Sequence, residues 1–205
     1  MLFGRGGIYL LVMNYLAHLF LAEPSDESRI GSLLGDFVAG RIEDLCEKYG
    51  QEIARGIQRH RDVDQFTDTH PIVRHSMACL EPEHGMFSGI IIDVCYDHFL
   101  LKHWTTFSPE PLVEFIAAVH TSLSRQDWDF PPHYQWMIPW LIKEQWLTSY
   151  RSLNGVQRAL VGINYRFSRE TTLGHAIESI KRCYQELEAD FLRFFPEVIR
   201  FVHER

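Results

Sequence analysis

The sequence predicts an all-α protein built as one domain of about seven to nine helices. Apolar residues recur at spacings of three and four, whereas the alternation typical of half-buried strands is scarce. The length of 205 residues favours a single domain. The chain is 46% hydrophobic and 23% charged, which is typical of a soluble globular protein and argues against disorder.

Four apolar stripes mark the strongest predicted helices. Three of them lie in residues 30–38, 90–101 and 112–120. The fourth, from Leu173 to Phe191, predicts a long helix that ends before Pro196. A further turn or two can follow from Pro196 to His203. The stripe at residues 90–101 is apolar almost all round, which indicates a buried helix.

The N-terminal segment resembles a signal peptide, because Arg5 precedes a short apolar run. However, Asn14 and His18 interrupt that run, and no small-residue cleavage site follows. We therefore interpret residues 1–12 as an upstream extension and residues 13–205 as the domain. No segment is a transmembrane candidate, because the apolar runs are too short. We expect a cytoplasmic protein without membrane attachment.

Charge and cysteine content restrict the function further. The formal net charge of −7 argues against a general nucleic-acid-binding surface. The four cysteines are widely separated and form no CxxC pair. We expect four free thiols in a reducing compartment; two disulfides in a secreted protein are the alternative.

The first cluster of ionisable residues contains His60, Asp64 and Asp68. Positions four apart share one face of a helix, so His60 and Asp64 can form half of a metal site. The chemistry suits Mn²⁺, Mg²⁺ or Fe²⁺. The alternative is a solvated His–Asp pair, with Asp68 or Thr69 at the start of a helix at Pro71.

The second cluster contains Asp93, Asp97 and His98, within the apolar stripe of residues 90–101. Buried charges need a partner or a metal, because leaving them unpaired is costly. Two carboxylates four residues apart on one helix also repel unless a cation joins them. That cation is either a metal or a buried arginine such as Arg61 or Arg166.

The third cluster combines Asp36 with Asn14 and His18 upstream, and Gly31 and Gly35 lie just before the carboxylate. Taken alone, Asp36 is an ordinary cap or surface carboxylate, and His18 is a hydrogen-bonded core histidine. Together, the three clusters indicate a metal centre built from several helices. No phosphate-binding glycine loop, GxSxG or HExxH motif is present, which leaves metal-assisted hydrolysis as the leading enzyme class.

Five segments, in the same order, resemble the acyl carrier protein phosphodiesterase family. They are residues 13–19, 31–37, 56–68, 93–100 and 144–150. The resemblance implies an all-α fold related to the HD phosphohydrolases, with Mn²⁺-dependent activity and Mg²⁺ or Fe²⁺ as alternatives. It also implies hydrolysis of the phosphodiester that joins 4′-phosphopantetheine to the serine of holo acyl carrier protein, giving apo carrier protein.

The resemblance also implies candidate site residues. The candidate metal ligands are Asp36, His60, Asp64, Asp97 and His98. The candidate catalytic residues are His18, Asp93, Asn14 and Arg61. HD proteins usually use an adjacent His–Asp pair, but here the order is reversed as Asp97-His98. Neighbouring side chains on a helix point about 100° apart, so Asp97 and His98 do not readily reach the same metal ion.

Acyl carrier proteins are strongly acidic, so an acidic enzyme needs a local basic patch for docking. The predicted docking residues are Arg55, Arg59, Arg61, Arg74 and Lys102. The alternative is that these are scattered charges that pair with residues such as Glu52 and Asp62. Two other functions stay open: an HD-like hydrolase of a nucleotide or small phosphodiester, and a non-catalytic helical module that binds the carrier protein.

Overall fold

The computed structural model describes residues 15–125, 127–165, 167 and 171–205, and within these it contains twelve α-helices and no strand. The helices are α1 (Tyr15–Leu21), α2 (Asp26–Leu34), α3 (Ile42–Tyr49), α4 (Gln51–Thr69), α5 (Pro71–His84), α6 (Ser88–Lys102), α7 (Trp104–Phe107), α8 (Leu112–Leu123), α9 (Pro132–Lys143), α10 (Trp146–Ser149), α11 (Leu153–Asn164) and α12 (Ala176–His203). Short 3₁₀ turns occupy Gly35–Phe37, Gly85–Phe87 and Leu173–His175. The predicted all-α bundle is confirmed, but it has more helices than the seven to nine predicted, and two of them, α7 and α10, have only four residues.

Helices α2 and α4 pack with their backbones in close contact. The hydroxyl of Ser25 caps α2 by accepting a hydrogen bond from the N–H of Ser28 at 3.1 Å. A Cβ atom at Gly31 would lie 2.2 Å from the carbonyl oxygen of Ile53, and one at Gly56 would lie 2.7 Å from the carbonyl oxygen of Ser28. Only glycine permits this approach, which places the end of α2 against the middle of α4.

Helix α6 lies at the centre of the core and packs against α1, α5, α11 and α12. Its apolar sequence on all sides explains this position, and Ile91, Phe99 and Leu100 are completely buried. As the sequence predicts, the helix carries Asp93 and Asp97 into the interior of the protein.

Helix α12 is longer than the sequence predicts. It runs without interruption from Ala176 to His203, so the prediction that it ends before Pro196 is wrong. Proline removes one backbone hydrogen bond from a helix interior. Phe195 and Val198, which flank Pro196, are both buried, and their packing holds the helix together across the missing bond.

The cysteines also differ from the prediction. Cys79 of α5 and Cys183 of α12 form a disulfide, whereas Cys46 and Cys95 are free, so the prediction of four free thiols is wrong for two of them. The bonded cysteines are 104 residues apart, and only the packing of α12 on α5 brings them together.

The predicted extension of residues 1–12, together with Asn14, lies outside the described residues. The division into an extension and a domain therefore stays a prediction. Within the described part of the chain, no helix is both long and apolar enough to cross a bilayer.

Candidate metal centre

Two imidazoles from different helices meet one carboxylate. Nε2 of His18 lies 3.0 Å from Oδ1 of Asp64, and Nε2 of His60 lies 3.1 Å from Oδ2 of the same group. The imidazole rings are stacked, with their centroids 4.0 Å apart. Both histidines are buried, but about a third of the Asp64 side chain is exposed. The cluster is thus open to solvent on the Asp64 side.

The local structure explains why these groups converge. His60 and Asp64 are four residues apart on α4 and therefore share one face, as predicted. His18 comes from α1, where the hydroxyl of Ser32 on α2 donates a hydrogen bond to its carbonyl oxygen at 2.8 Å. The contact between α1 and α2 therefore fixes the position of His18 opposite α4.

The three groups have different proton affinities. Burial lowers the pKa of His18, and the neighbouring His60 lowers it further, against the contact with Asp64. Burial also lowers the pKa of His60, but the contacts with Asp36 and Asp64 outweigh it and raise that pKa to about 10. Although burial raises the pKa of Asp64, its contacts with the two histidines hold it well below the ordinary value. Both imidazoles bind a metal only in the neutral form, so a metal ion bound here would displace the proton that the two carboxylates favour on His60.

Asp36 adds a second carboxylate, since its Oδ1 lies 3.4 Å from Nε2 of His60. Its Oδ2 is buried without a hydrogen-bond partner among the described residues, and the same holds for Nδ1 of His18 and Nδ1 of His60. Buried polar atoms without partners are costly. His18, His60 and Asp64 each offer one ligand atom, and these three atoms lie within 4.8 Å of one another. These donors therefore fit a divalent metal ion.

Two more carboxylates, Asp93 and Asp68, interact electrostatically with Asp64. Burial, followed by the charges of Asp64 and Asp68, raises the pKa of Asp93 well above its ordinary value. Burial and the charge of Asp64 also raise the pKa of Asp68. A bound divalent cation would offset this repulsion, because a metal is the largest charge in its site. Asp93 is half-buried and stays a candidate catalytic residue.

Asp97, a predicted metal ligand, instead caps a helix. Its Oδ2 accepts a hydrogen bond from the N–H of Leu16 at 3.0 Å, and its Oδ1 accepts one from the N–H of Ala17 at 2.9 Å. These N–H groups belong to the first turn of α1, which the helix itself leaves without partners. Burial raises the pKa of Asp97 to about 8, while the two N–H groups act in the opposite direction. Asp97 thus acts on the cluster through α1, which carries His18.

Two other predicted residues have protein partners outside the cluster. Nδ1 of His98 lies 2.6 Å from the carbonyl oxygen of Tyr150, and Nε2 lies 2.8 Å from the hydroxyl of Tyr184. The guanidinium of Arg61 donates to the carbonyl oxygens of Gly40 and Val38, so it holds the segment that follows Asp36. Asp97 and His98 are neighbours on α6, so their side chains point about 100° apart and reach different partners.

The predicted docking patch is largely neutralised. Arg55 pairs with Glu52, and Arg59 pairs with Glu23. Lys102 lies 2.7 Å from a carboxylate oxygen of Glu188. With Arg61 bound to backbone carbonyls, only Arg74 of the five has no partner among the described residues. The structure therefore does not support these five residues as a shared docking surface.

The role of His18 is the main feature that the sequence analysis missed. We predicted it as a catalytic residue, and the structure groups it with His60 and Asp64 as three residues that could hold a metal ion. Its distance in sequence from His60 and Asp64 hides this relationship. The only signal was its position in the first of the five family-like segments.

An all-helical protein with two imidazoles and carboxylates converging at one point belongs to the class of helical proteins with a candidate metal centre. The sequence model of the family described as acyl carrier protein phosphodiesterase matches residues 13–198. The chain therefore belongs to the acyl carrier protein phosphodiesterase family.

Curated relatives agree with the family model. The chain is 36% identical over 188 residues to an acyl carrier protein phosphodiesterase of Enterobacter sp. (strain 638), covering 91% of this chain and 96% of the relative. It is 34% identical over 194 residues to one of Klebsiella pneumoniae subsp. pneumoniae, covering 94% and 99% respectively. It is 35% identical over 188 residues to one of Escherichia coli O139:H28, covering 91% and 96%. No solved structure matches the chain.

Proposed function

We propose that this protein hydrolyses the phosphodiester joining 4′-phosphopantetheine to the serine of holo acyl carrier protein. The observation that carries the proposal is the cluster of His18, His60 and Asp64, present in a chain of the acyl carrier protein phosphodiesterase family. The products are apo carrier protein and 4′-phosphopantetheine. The relatives are named acyl carrier protein phosphodiesterases, which supports a carrier protein as the substrate.

His18, His60 and Asp64 are the proposed ligands of a divalent metal, with Asp36 as the fourth. Their mixture of imidazole and carboxylate oxygen donors suits Mn²⁺, which we propose as the cofactor, with Mg²⁺ or Fe²⁺ as alternatives. Such a metal, when bound, polarises a phosphoryl oxygen and activates water.

The remaining residues position and exchange protons. Asp93 on α6 interacts electrostatically with Asp64 and Asp36 and is the proposed group for proton transfer at the reacting phosphodiester. Asp97 holds the first turn of α1, and Ser32 holds the carbonyl oxygen of His18. Their hydrogen bonds keep the imidazole in place while the substrate binds.

A mass-shift assay on holo carrier protein tests the proposal directly. We expect the mass of the carrier protein to fall by that of the phosphopantetheine arm with Mn²⁺ present, and to stay unchanged with a chelator. Asp36→Ala and Asp64→Ala are expected to be folded but inactive, with Asp44→Ala as a surface control, because Asp44 is exposed and pairs with the exposed Arg41.

The outcomes separate this function from its alternatives. Release of phosphopantetheine at near-normal rates by both Asp36→Ala and Asp64→Ala would exclude the proposed centre. Turnover of free nucleotides or small diesters, without turnover of holo carrier protein, would favour a different phosphohydrolase. Carrier binding without bound metal or turnover would favour a non-catalytic module.

A cytoplasmic location stays a prediction. The Cys79–Cys183 disulfide is of a kind more common in oxidising compartments, so it does not support the free thiols on which that prediction partly rested.

A further inference from the structure

The chain from α9 to α11 differs in charge from the rest of the protein. The whole chain has a formal charge of −7, but residues 130–165 contain three basic side chains, Lys143, Arg151 and Arg158, and only one acidic side chain, Glu144. All four of these side chains are exposed. This part of an acidic protein therefore carries net positive charge at its surface.

The cations in this stretch are free to meet a partner. Lys143 lies over the ring of Trp140, with its Nζ 5.0 Å from the ring centroid. Among the described residues, no carboxylate lies within ion-pair distance of Lys143, Arg151 or Arg158. By contrast, Arg55 and Arg59 each have a carboxylate partner in the chain. Unpaired exposed cations attract an acidic protein more strongly than neutralised ones.

Exposed tryptophans accompany these cations. Trp136 is 61% exposed and Trp140 is 42% exposed, and their ring centroids are 6.4 Å apart. The opposite face of α9 is buried through Tyr134 and Leu141. The tryptophans therefore form an outward stripe that the fold does not use. Tryptophan is enriched in the central contacts of protein interfaces.

Two residues of this stretch contact elements that also carry carboxylates of the site. The ring of Tyr134 packs edge-on against Phe37 at 5.5 Å, and Phe37 directly follows Asp36. The carbonyl of Tyr150, just before Arg151, lies 2.6 Å from Nδ1 of His98 on α6. These contacts connect α9 and the end of α10 to the elements that carry Asp36 and Asp93.

A groove of about 470 Å³ begins where α9 ends. Its wall includes the apolar side chains of Leu112 and Ile116 on α8 and of Leu147 on α10, and Arg151 also lines it. Apolar walls with a few polar groups are typical of ligand clefts of this size. An acidic protein that carries a flexible, partly apolar arm fits a basic surface with an adjoining groove.

We propose that Trp136, Trp140, Lys143 and Arg151 form the docking surface for the acidic carrier protein that is the substrate. The proposal rests on the proposed function, and it moves the docking surface away from Arg55 and Arg59. The tryptophans supply apolar contact area, and the two cations supply charge complementarity.

Binding measurements test the surface separately from the chemistry. We compare the dissociation constant for holo carrier protein of Lys143→Glu/Arg151→Glu, of Trp136→Ala/Trp140→Ala and of the control Arg55→Glu/Arg59→Glu. The first two are expected to weaken binding by about tenfold or more, and the control by less than about twofold. Thermal unfolding checks that every variant is folded.

Each outcome is decisive. Unchanged binding by both surface variants, or an equal loss in the control, overturns the proposal. If the two surface variants lose binding to vesicles of anionic lipid but keep the wild-type affinity for carrier protein, the surface binds membranes and the proposal is overturned. If the wild type binds holo carrier protein at this surface but never cleaves it, the docking proposal survives while the proposed function fails.

Discussion

Gly35 lies directly against the imidazole of His60. A Cβ atom at Gly35 would be 2.4 Å from both Cγ and Cδ2 of that ring, closer than nonbonded carbons approach. The backbone of Gly35 is helical, with φ of −50°, so the absence of a side chain is required by the contact and not by the dihedral angle. The 3₁₀ turn that carries Asp36 can therefore pack onto α4 beside His60.

Gly35→Ala is expected to displace the His60 imidazole and weaken metal binding by about tenfold or more, a cost comparable to the loss of a residue that orients a ligand. The measurement is the affinity for Mn²⁺ by calorimetric titration. Gly162→Ala is the control, because a Cβ atom there meets nothing within 4 Å. A metal affinity equal to that of the control would show that the imidazole of His60 can move without weakening metal binding.

Asp97 is expected to support the metal centre through the first turn of α1. Asp97→Ala removes both acceptors for the N–H groups of Leu16 and Ala17, and the loss of such a cap costs about 1–2 kcal/mol. The affinity for Mn²⁺ should fall together with the free energy of unfolding, because the capped helix α1 carries His18. Asp97→Asn keeps one acceptor oxygen and should recover part of both quantities, measured by urea unfolding and Mn²⁺ titration.

The two roles of Asp97 are distinguished by the asparagine variant. Complete loss of metal binding by Asp97→Asn, with unchanged unfolding free energy, would make Asp97 a ligand and exclude the capping role. Asp64→Asn provides the comparison for a proposed ligand.

The sequence predicts the helical periodicity and the shared face of His60 and Asp64, because both depend on residues three and four apart. It also predicts that α6 is buried, because its apolar residues surround the helix. It does not show which faces of distant helices meet. Asp97 and Asp93 are four apart on α6, yet Asp97 contacts α1, and only tertiary packing decides this. The disulfide and the place of His18 escape prediction for the same reason.

The Cys79–Cys183 disulfide is expected to stabilise the junction of α5 and α12. A crosslink between residues 104 apart restricts the unfolded chain, and such bonds typically contribute about 2–4 kcal/mol. Cys79→Ser/Cys183→Ser should lower the free energy of urea unfolding by that amount, whereas Cys46→Ser should not. Adding a reductant should not change the free energy of unfolding of the double variant. Titration of four reactive thiols in the unfolded, unreduced protein would show that the bond does not form.

Asp190 is expected to make the stability of the same junction depend on pH. Its side chain is 1% exposed and accepts hydrogen bonds from Ser76 and His75, each at 2.8 Å, and from Arg193. Although burial raises the pKa of Asp190, these hydrogen bonds outweigh it and hold the pKa below the ordinary 3.8. A lowered pKa in the folded state adds stability above pH 3.8, and this stability is lost as the pH falls through the lower folded value.

His75 sets the upper pH limit of this stabilisation. The hydrogen bond to Asp190 raises the pKa of His75 above its ordinary 6.5, so its contribution is complete below pH 6.5 and declines as the pH rises through the folded value. His75 is more than half exposed, so solvent screens this contribution. The pair is therefore most stabilising between about pH 4 and 6.5.

Asp190→Asn is expected to lower the unfolding free energy by about 1–3 kcal/mol within that window, because buried hydrogen bonds to a charged group are lost. Below pH 3.8 the difference from the wild type should shrink, because Asp190 then becomes protonated in the unfolded wild type before it does so in the folded protein. Urea unfolding at half-unit steps from pH 3 to 8 measures this, with Asp44→Asn as an exposed control. A difference that stays constant across the whole range would mean that ionisation of Asp190 does not stabilise the fold.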